Sequence, residues 1–307
     1  RERVMSAISA RSSSFWRLRN ARLRYRAILP LEREKSSVAS ARVGRHIGRN
    51  TCRIAMTDTQ FLTTLTGRRI AYHKTEGQGP TVVFLGGFKS DMDGTKALFL
   101  EAWAKQAGQG FLRFDYSGHG KSSGAFTDGS IGDWAEDAKA AIGALTTGKV
   151  VLVGSSMGGW ISLLVARALP DKIAGLVGIA AAPDFTEDSM WEGFTPDQRA
   201  ELQAKGRIEL SSGYDDGPYV ITQNLIEDGR RNLVLRSDLG LPFPVRLLQG
   251  TMDQDVDQSV AVRLLDHAQG PDIRLTLVKG ADHRFSSDEN LRLIGDTVLS
   301  VLQKIKT

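Results

Sequence analysis

Short apolar runs alternate with longer amphipathic segments over most of the chain. Runs of apolar and β-branched residues, such as "TVVFLGG" from Thr81 and "KVVLVGS" from Lys149, are typical of strands that are buried on both faces of a sheet. Residues 95–108 instead repeat their apolar positions with helical spacing. Strands that alternate with helices in this way predict a mostly parallel sheet with helices on both faces.

The same periodicity assigns elements to most of the chain after Gln60. Two short strands are predicted on either side of a turn at Thr66-Gly67. The other predicted strands lie in "GFLRFDYSGHG", "IAGLVGIAAAP", "PVRLLQG" and "IRLTLVKG". Further helices are predicted over residues 133–145, with Asp133 as N-terminal cap, and over 157–169, 256–267 and 287–304.

The segment from Asp184 to about Leu241 interrupts this alternation. It contains Pro196, a polar helix around residues 198–205, and scattered Gly, Tyr and Trp residues. A connection of this length is uncommon in a compact domain unless it carries a function. We therefore predict one domain over residues 56–307, with a lid inserted after the sixth strand at about 184–241.

The charge is divided unevenly along the chain. Residues 1–55 contain thirteen Arg and one Lys against three Glu, a net charge of +11, so the rest of the chain carries −6 of the total +5. We expect this basic tail to be disordered. Its composition is typical of an organelle transit peptide and also of an arm that binds nucleic acid or an anionic membrane. A third interpretation is an upstream-extended reading frame, because Met56 reads as a start.

The rest of the composition narrows the function classes. No apolar run reaches the ~18 residues of a membrane span. Cys52 is the only cysteine, which excludes an internal disulfide and a cysteine-based metal site. We expect no nucleic-acid partner for the acidic domain. Its location is cytoplasmic if the protein is bacterial, or mitochondrial if the tail is a transit peptide, and its oligomeric state stays open.

A G-x-S-x-G pattern joins a predicted strand to a predicted helix. Ser156 stands between Gly154 and Gly158, with almost no room for a connecting loop. Such a turn holds a serine Oγ above the sheet edge in strained backbone, and glycines two residues away avoid collisions of a Cβ with the neighbouring elements. A Gly/Ser-rich loop without chemistry is an equally common source of this short pattern. The rest of the chain must decide.

A nucleophilic serine needs a base within reach, and the base needs an orienting acid. In a parallel sheet these groups belong to loops that follow later strands. His283 is the only one of the five histidines directly after a late strand, and Asp253 closely follows the strand before it. We predict Asp253 as the acid because it is nearest to the strand end. The competing aspartates are Asp255, Asp257 and Asp282.

An oxyanion hole requires two N–H donors, because negative charge develops on the substrate's carbonyl oxygen. The first predicted donor is the amide of Met157, the residue after the serine. The second is the amide of Phe88, which follows Gly86-Gly87 in the loop after the first long strand. This chemistry requires no cofactor and no metal. The "DMDG" sequence at 91–94 lacks the rest of a calcium loop and is interpreted as a turn.

Five motifs resemble the α/β-hydrolase superfamily, and within it the mitochondrial palmitoyl-protein thioesterases and acyl-glucuronide esterases with their bacterial relatives. They are "GGFKSDMDGTKA", "RFDYSGHGKSSG", "VGSSMGGWISL", "PVRLLQGTMDQDV" and "DHRF", and the likeness extends from about Gly67 to the C-terminus. The resemblance implies the α/β-hydrolase fold and a serine esterase or thioesterase with Ser156 as nucleophile, Asp253 as acid and His283 as base. Two alternatives stay open, namely amide or carbon–carbon bond hydrolysis, and a catalytically silent binding protein on the same fold.

The insert brings six bulky side chains to the mouth of the predicted site. They are Phe185, Met190, Trp191, Phe194, Tyr214 and Tyr219. These side chains either wall a pocket for an acyl chain or only hold the insert together. In the first case kcat/KM rises with chain length, because each buried CH₂ adds about 0.8 kcal/mol of binding.

Overall fold

The computed structural model describes residues 58–210 and 218–305, so the basic tail over 1–55 lies outside the described residues. The strands are β1 (Gln60–Thr63), β2 (Arg69–Thr75), β3 (Gln78–Leu85), β4 (Gln109–Phe114), β5 (Val150–Ser155), β6 (Ile173–Ile179), β7 (Arg207–Leu210), β8 (Tyr219–Thr222), β9 (Val245–Gly250) and β10 (Ile273–Val278). The α-helices are α1 (Thr95–Ala107), α2 (Ile131–Leu145), α3 (Met157–Ala168), α4 (Pro196–Lys205), α5 (Gln223–Arg231), α6 (Gln258–His267) and α7 (Asp288–Ile305).

Eight of these strands form one sheet in the order β1-β2-β4-β3-β5-β6-β9-β10. The pairs β1–β2 and β2–β4 are antiparallel, and the other neighbours in the sheet are parallel. The prediction of a mostly parallel sheet is therefore confirmed. Since β3, β5, β9 and β10 run in the same direction, the loops after them open at one edge of the sheet.

The central strands of the sheet are buried on both faces, which explains their continuous apolar runs, whereas the edge strands β1 and β10 are partly exposed. Along β3, Val83 and Leu85 belong to a hydrophobic cluster that includes residues of α2 and α3. Val82 and Phe84 belong to a second cluster, which includes residues of α1 and α7. Successive side chains of a strand point to opposite faces, so a strand buried on both faces is apolar at most of its positions.

The insert between β6 and β9 contains more structure than the sequence predicts. It holds a single π-helical turn at Thr186–Trp191, α4, an antiparallel hairpin of β7 and β8, and α5. Helix α4 agrees with the polar helix predicted around residues 198–205. The hairpin and α5 were not predicted, and their buried hydrophobic residues are few (Ile208, Ile221, Leu225 and Ile226).

Two helix starts differ from the sequence prediction. Helix α2 is capped by Ser130, whose side chain accepts a hydrogen bond from the Asp133 amide, so Asp133 lies in the first turn and is not the cap. Helix α6 begins at Gln258 instead of residue 256, with Asp257 as its cap. Among the helices of the described ranges, none combines the length and the apolar character needed to cross a membrane.

Candidate active site

Ser156 lies on a sharp turn between β5 and α3. Its φ angle is +54°, a left-handed conformation that is strained for a residue with a side chain. A Cβ on Gly154 would lie 2.3 Å from the Gly158 carbonyl oxygen, and a Cβ on Gly158 would lie 2.1 Å from the Leu85 carbonyl oxygen. Both glycines are therefore required by close backbone approach, which is the physical reason given for the G-x-S-x-G pattern.

The loops after β5, β9 and β10 bring three side chains into one hydrogen-bonded chain. The distance from His283 Nδ1 to Asp253 Oδ2 is 2.9 Å, and the distance from His283 Nε2 to Ser156 Oγ is 3.0 Å. Because an ionised carboxylate only accepts hydrogen bonds, Nδ1 carries the proton and Nε2 accepts from the serine hydroxyl. The imidazole is thus held in the tautomer that can take a proton from Ser156.

The Asp253 carboxylate is fully buried and has four hydrogen-bond donors around it. Oδ1 accepts from the amides of Asp255 and Val256, while Oδ2 accepts from His283 and from Gln249 Nε2. Burial alone would raise the pKa of Asp253, but the hydrogen bonds from His283 and the two amides outweigh it and lower that pKa. The carboxylate therefore stays ionised at neutral pH. Gln249 was missed by the sequence analysis.

The other aspartates near the histidine make different contacts. Asp255 is exposed, Asp257 caps α6 through the Ser259 amide, and Asp282 accepts from the Phe285 amide. The imidazole Nδ1 of His283 is hydrogen-bonded to Asp253, the predicted acid.

One group of three potential metal ligands occurs within the described ranges. Ligand atoms of Asp253, Asp255 and His283 lie within 4.8 Å of one another. The Asp253 carboxylate and the His283 Nδ1 already satisfy each other through their hydrogen bond. The group therefore consists of the predicted acid, the predicted base and the neighbouring Asp255, and it is not separate from the predicted catalytic site.

The two predicted oxyanion donors lie on elements that adjoin Ser156. Met157 is the first residue of α3, where amides have no partner within the helix. Phe88 lies in the loop after β3, and a Cβ on its neighbour Gly87 would be 3.4 Å from the Ser156 Cβ. In residues 58–210 and 218–305, neither amide donates a hydrogen bond to another backbone group. Both are available to a ligand.

Comparisons with known proteins identify the family of the chain. Residues 80–211 match the family model described as alpha/beta hydrolase fold. The mitochondrial palmitoyl-protein thioesterase ABHD10 of Rattus norvegicus is 34% identical over 239 residues, which cover 78% of this chain and 80% of the rat protein. The chain belongs to the α/β-hydrolase family.

Two solved structures of the family are similar over most of their length. A putative hydrolase from Agrobacterium vitis S4 has a TM-score of 0.77 and 39% identity, and the match covers 80% of this chain and 98% of that one. The mouse alpha/beta hydrolase domain-containing protein 10 has a TM-score of 0.75 and 31% identity, with coverage of 81% and 99%. The resemblance stated from the five motifs is therefore confirmed.

In this α/β hydrolase the loop that carries Phe88 is fixed by hydrogen bonds between its backbone and two residues at the end of β4 and just after it. Asp115 Oδ1 accepts from the Met92 amide at 2.6 Å, and Arg113 Nη1 donates to the Met92 carbonyl at 3.0 Å. Burial raises the pKa of Asp115 to about 6, against the opposing effect of hydrogen bonds from the amides of Lys121 and Met92. These hydrogen bonds were not predicted from the sequence. The two charged residues within the otherwise apolar run "FLRFDY" are the feature that would have indicated them.

The Phe88 ring joins this loop to an aromatic cluster, which we define as Phe88, Phe126, Trp134, Phe185 and Tyr219. Ring centroids of the other four lie 4.8 to 6.1 Å from that of Phe88. Two members come from the insert, so the insert contacts the loop of the predicted oxyanion donor Phe88 (residues 88–94, here called the oxyanion loop) through aromatic rings.

The aromatic residues of the insert do not form one group. Trp191 lies against two guanidinium groups, with its ring centroid 4.4 Å from Cζ of Arg230 and 5.0 Å from Cζ of Arg199. Phe194 packs edge-on against Trp191 and is buried. Tyr214 lies outside the described residues. Of the two interpretations given for these side chains, the contacts favour internal packing of the insert for Trp191 and Phe194.

Proposed function

We propose that this α/β hydrolase is a serine esterase or thioesterase that acts through an acyl-enzyme. The observation that carries the proposal is the continuous hydrogen-bond chain from Asp253 through His283 to Ser156. Such a chain activates a hydroxyl that is otherwise a weak nucleophile. The remaining 19% exposure of the histidine side chain supports its second role, because water must reach it in the deacylation step.

In the first step Ser156 Oγ attacks the carbonyl carbon of the substrate, while His283 Nε2 takes the hydroxyl proton. The imidazolium then gives this proton to the leaving thiolate or alkoxide, and the acyl group remains on the serine. In the second step water attacks the acyl carbon with His283 again as base, and the acid and free enzyme are released. Asp253 holds the imidazole in the required tautomer and stabilises its cationic form.

The amides of Met157 and Phe88 are the proposed oxyanion donors. They bind the oxygen that becomes negative in both tetrahedral intermediates, and loss of one such donor typically costs ~10²–10³ in rate. Because this contact is made to the carbonyl oxygen and not to the leaving atom, oxygen esters and thioesters are both substrates of the proposed site. No cofactor takes part in these steps.

The proposed substrate is a small-molecule or protein-linked acyl ester or thioester with an apolar acyl group. The name of the rat relative, palmitoyl-protein thioesterase, supports a thioester with a long acyl chain, and hydrolysis of acyl glucuronides is the alternative within the same branch. The aromatic cluster supports an apolar pocket, since its central member, Phe88, lies on the proposed oxyanion loop and contacts the other four rings. The mitochondrial name of that relative favours the mitochondrial location over the cytoplasmic one.

Replacement of the proposed nucleophile tests this function. We expect Ser156→Ala to lose nearly all turnover of a p-nitrophenyl ester, because only binding and the oxyanion hole remain, which supply ~10³–10⁴-fold acceleration over water. Ser155→Ala is the matched control and should retain turnover within a few-fold. A fluorophosphonate probe should label the wild-type protein and the control but not Ser156→Ala.

Two results would contradict the proposal. Unchanged ester turnover by Ser156→Ala would remove the serine mechanism. Failure of the probe to label the wild-type protein would favour a silent binding protein on this fold.

A further inference from the structure

Lys96 occupies a position in α1 that the helix itself does not explain. It lies in the first turn of a helix whose N-cap, Gly94, supplies no side-chain hydrogen bond, and that turn contains no acidic residue. The N-terminus of a helix carries the positive end of its dipole, so a cation there is unfavourable. A residue that departs from local preference without local compensation often serves another part of the structure.

The ammonium group of Lys96 contacts the loop that carries the proposed base. Its Nζ donates a 2.5 Å hydrogen bond to the carbonyl oxygen of Arg284, the residue directly after His283. Burial lowers the pKa of Lys96 to about 8, the charge of Asp282 opposes this effect, and the charge of Arg284 adds to it. The ammonium group of Lys96 is therefore partly removed from water, which disfavours its charged form, and the partner of its hydrogen bond is a neutral carbonyl group.

The histidine loop, residues 279–287, is held differently on its two sides. Before the histidine, the Met252 amide donates to the Ala281 carbonyl, and the Gly280 amide donates to Thr251 Oγ1, which ties the loop to the segment that carries the acid. After the histidine, the chain enters the core at Phe285, which is fully buried. Between these two anchors, the Arg284 carbonyl accepts hydrogen bonds from Ser286 Oγ within the loop and from Lys96 Nζ, and the second bond ties the loop to α1.

Helix α1 begins where the oxyanion loop ends, so this contact connects two parts of the site. One end of the connection is the segment from Phe88 to Gly94, and the other is the backbone next to His283. A shift of the histidine loop relative to α1 would change the distance between the base and the carbonyl carbon held at the oxyanion donors. A misplacement of about 1 Å costs up to ~10² in rate.

We propose that Lys96 is a positioning residue, which fixes His283 relative to the oxyanion loop through its hydrogen bond to the Arg284 carbonyl. The proposal rests on the function proposed above. Lys96 does not touch the reacting atoms, and its effect falls on the geometry of the transition state and not on substrate binding.

The test is the variant Lys96→Met, which keeps the length of the side chain and removes the donor. We expect kcat for a p-nitrophenyl ester to fall about 10- to 100-fold, with KM unchanged within about twofold. Lys105→Met is the matched control, since Lys105 lies near the other end of the same helix and pairs with Glu101. It should keep the wild-type kcat.

Stability and pH dependence separate positioning from a structural role. The folded protein binds the Lys96 proton less tightly than the unfolded chain does, so the protonated lysine lowers stability at neutral pH, and this cost disappears as pH rises from about 8 toward the ordinary value of 10.5. Lys96→Met should therefore have an unchanged or higher Tm at pH 7. Above pH 8 the neutral amine of Lys96 remains a hydrogen-bond donor but loses the charge that strengthens the bond, so the wild-type kcat should decline moderately there, and the variant should lack this decline.

Three outcomes would overturn the inference. One is a wild-type kcat and pH profile in Lys96→Met. Another is a lower kcat accompanied by a lower Tm, which indicates a structural role. The third is a wild-type protein that neither hydrolyses esters nor reacts with a fluorophosphonate, since that result removes the proposed function as well.

Discussion

Asp253 and Asp255 are alike in the sequence but lie in different environments, because the first carboxylate is buried and the second is exposed. They are two residues apart, and the amide of Asp255 is itself a donor to Asp253. The tight turn after β9 directs the first carboxylate toward the imidazole and leaves the second exposed. The acid is thus distinguished by its donors and by its burial, and both depend on the fold of the turn.

We predict that Asp253→Asn lowers kcat by ~10⁴, because the imidazole then loses the acceptor that fixes its tautomer. Asp255→Asn is the matched control, and its kcat should stay within a few-fold of the wild-type value. Ester turnover at neutral pH measures both. If Asp255→Asn were the crippling change, the register of this turn would be wrong, whereas the fold would be unaffected.

At the scale of elements, the sequence patterns predicted the strands and helices whose own residues show which positions are buried. Strands such as β3 and β5 are buried on both faces, so each of their residues reports the same environment. The prediction of Asp133 as the cap of α2 was wrong. Ser130 and Asp133 are both good capping residues, and the hydrogen bonds between them decide which one is the cap. The hairpin of β7 and β8 has four-residue strands, whose stability comes from packing that no local pattern records.

The residues of the predicted site also divide into those that the sequence could predict and those that it could not. Ser156, Asp253 and His283 could be proposed because topology fixes which loops meet at the sheet edge. Gln249 and Lys96 could not be proposed from the sequence. Gln249 reaches the Asp253 carboxylate only because of the way the turn after β9 folds, and Lys96 contacts the carbonyl of Arg284, which is far away in the sequence.

The aromatic cluster leads to a prediction about the acyl chain. We expect kcat/KM to rise with chain length from acetyl to medium and long acyl thioesters, since each buried CH₂ adds about 0.8 kcal/mol. Phe185→Ala should flatten this dependence, because Phe185 contacts Phe88 at 5.8 Å between ring centroids. The measurement is a kcat/KM series kept below the critical micelle concentration.

Trp191→Ala is the control for this series. Its ring packs against Arg199 and Arg230, so its loss should lower Tm while the dependence on chain length persists. A maximum at acetyl for the wild-type protein would leave the hydrolase in place and discard the long-chain substrate.

At the scale of the whole molecule, residues 59–305 contain every strand described and all three proposed catalytic residues. We therefore predict that a chain beginning at Met56 unfolds cooperatively and hydrolyses esters as fast as the full chain. The comparison is between the Tm and kcat of the two proteins. Loss of cooperative unfolding after truncation would mean that the basic tail contributes to the stability of the domain.

The order of strands in the sheet also governs how the protein emerges from the ribosome. Strands β6 and β9 are neighbours, but residues 180–244 must be translated between them, which takes roughly 3 to 13 s at ordinary synthesis rates. During that interval β6 presents an unpaired edge, the feature that promotes aggregation of sheets. The proposed nucleophile has already been made, but the proposed acid and base have not. We therefore expect a nascent chain arrested before residue 245 to be inactive and prone to aggregation through that edge.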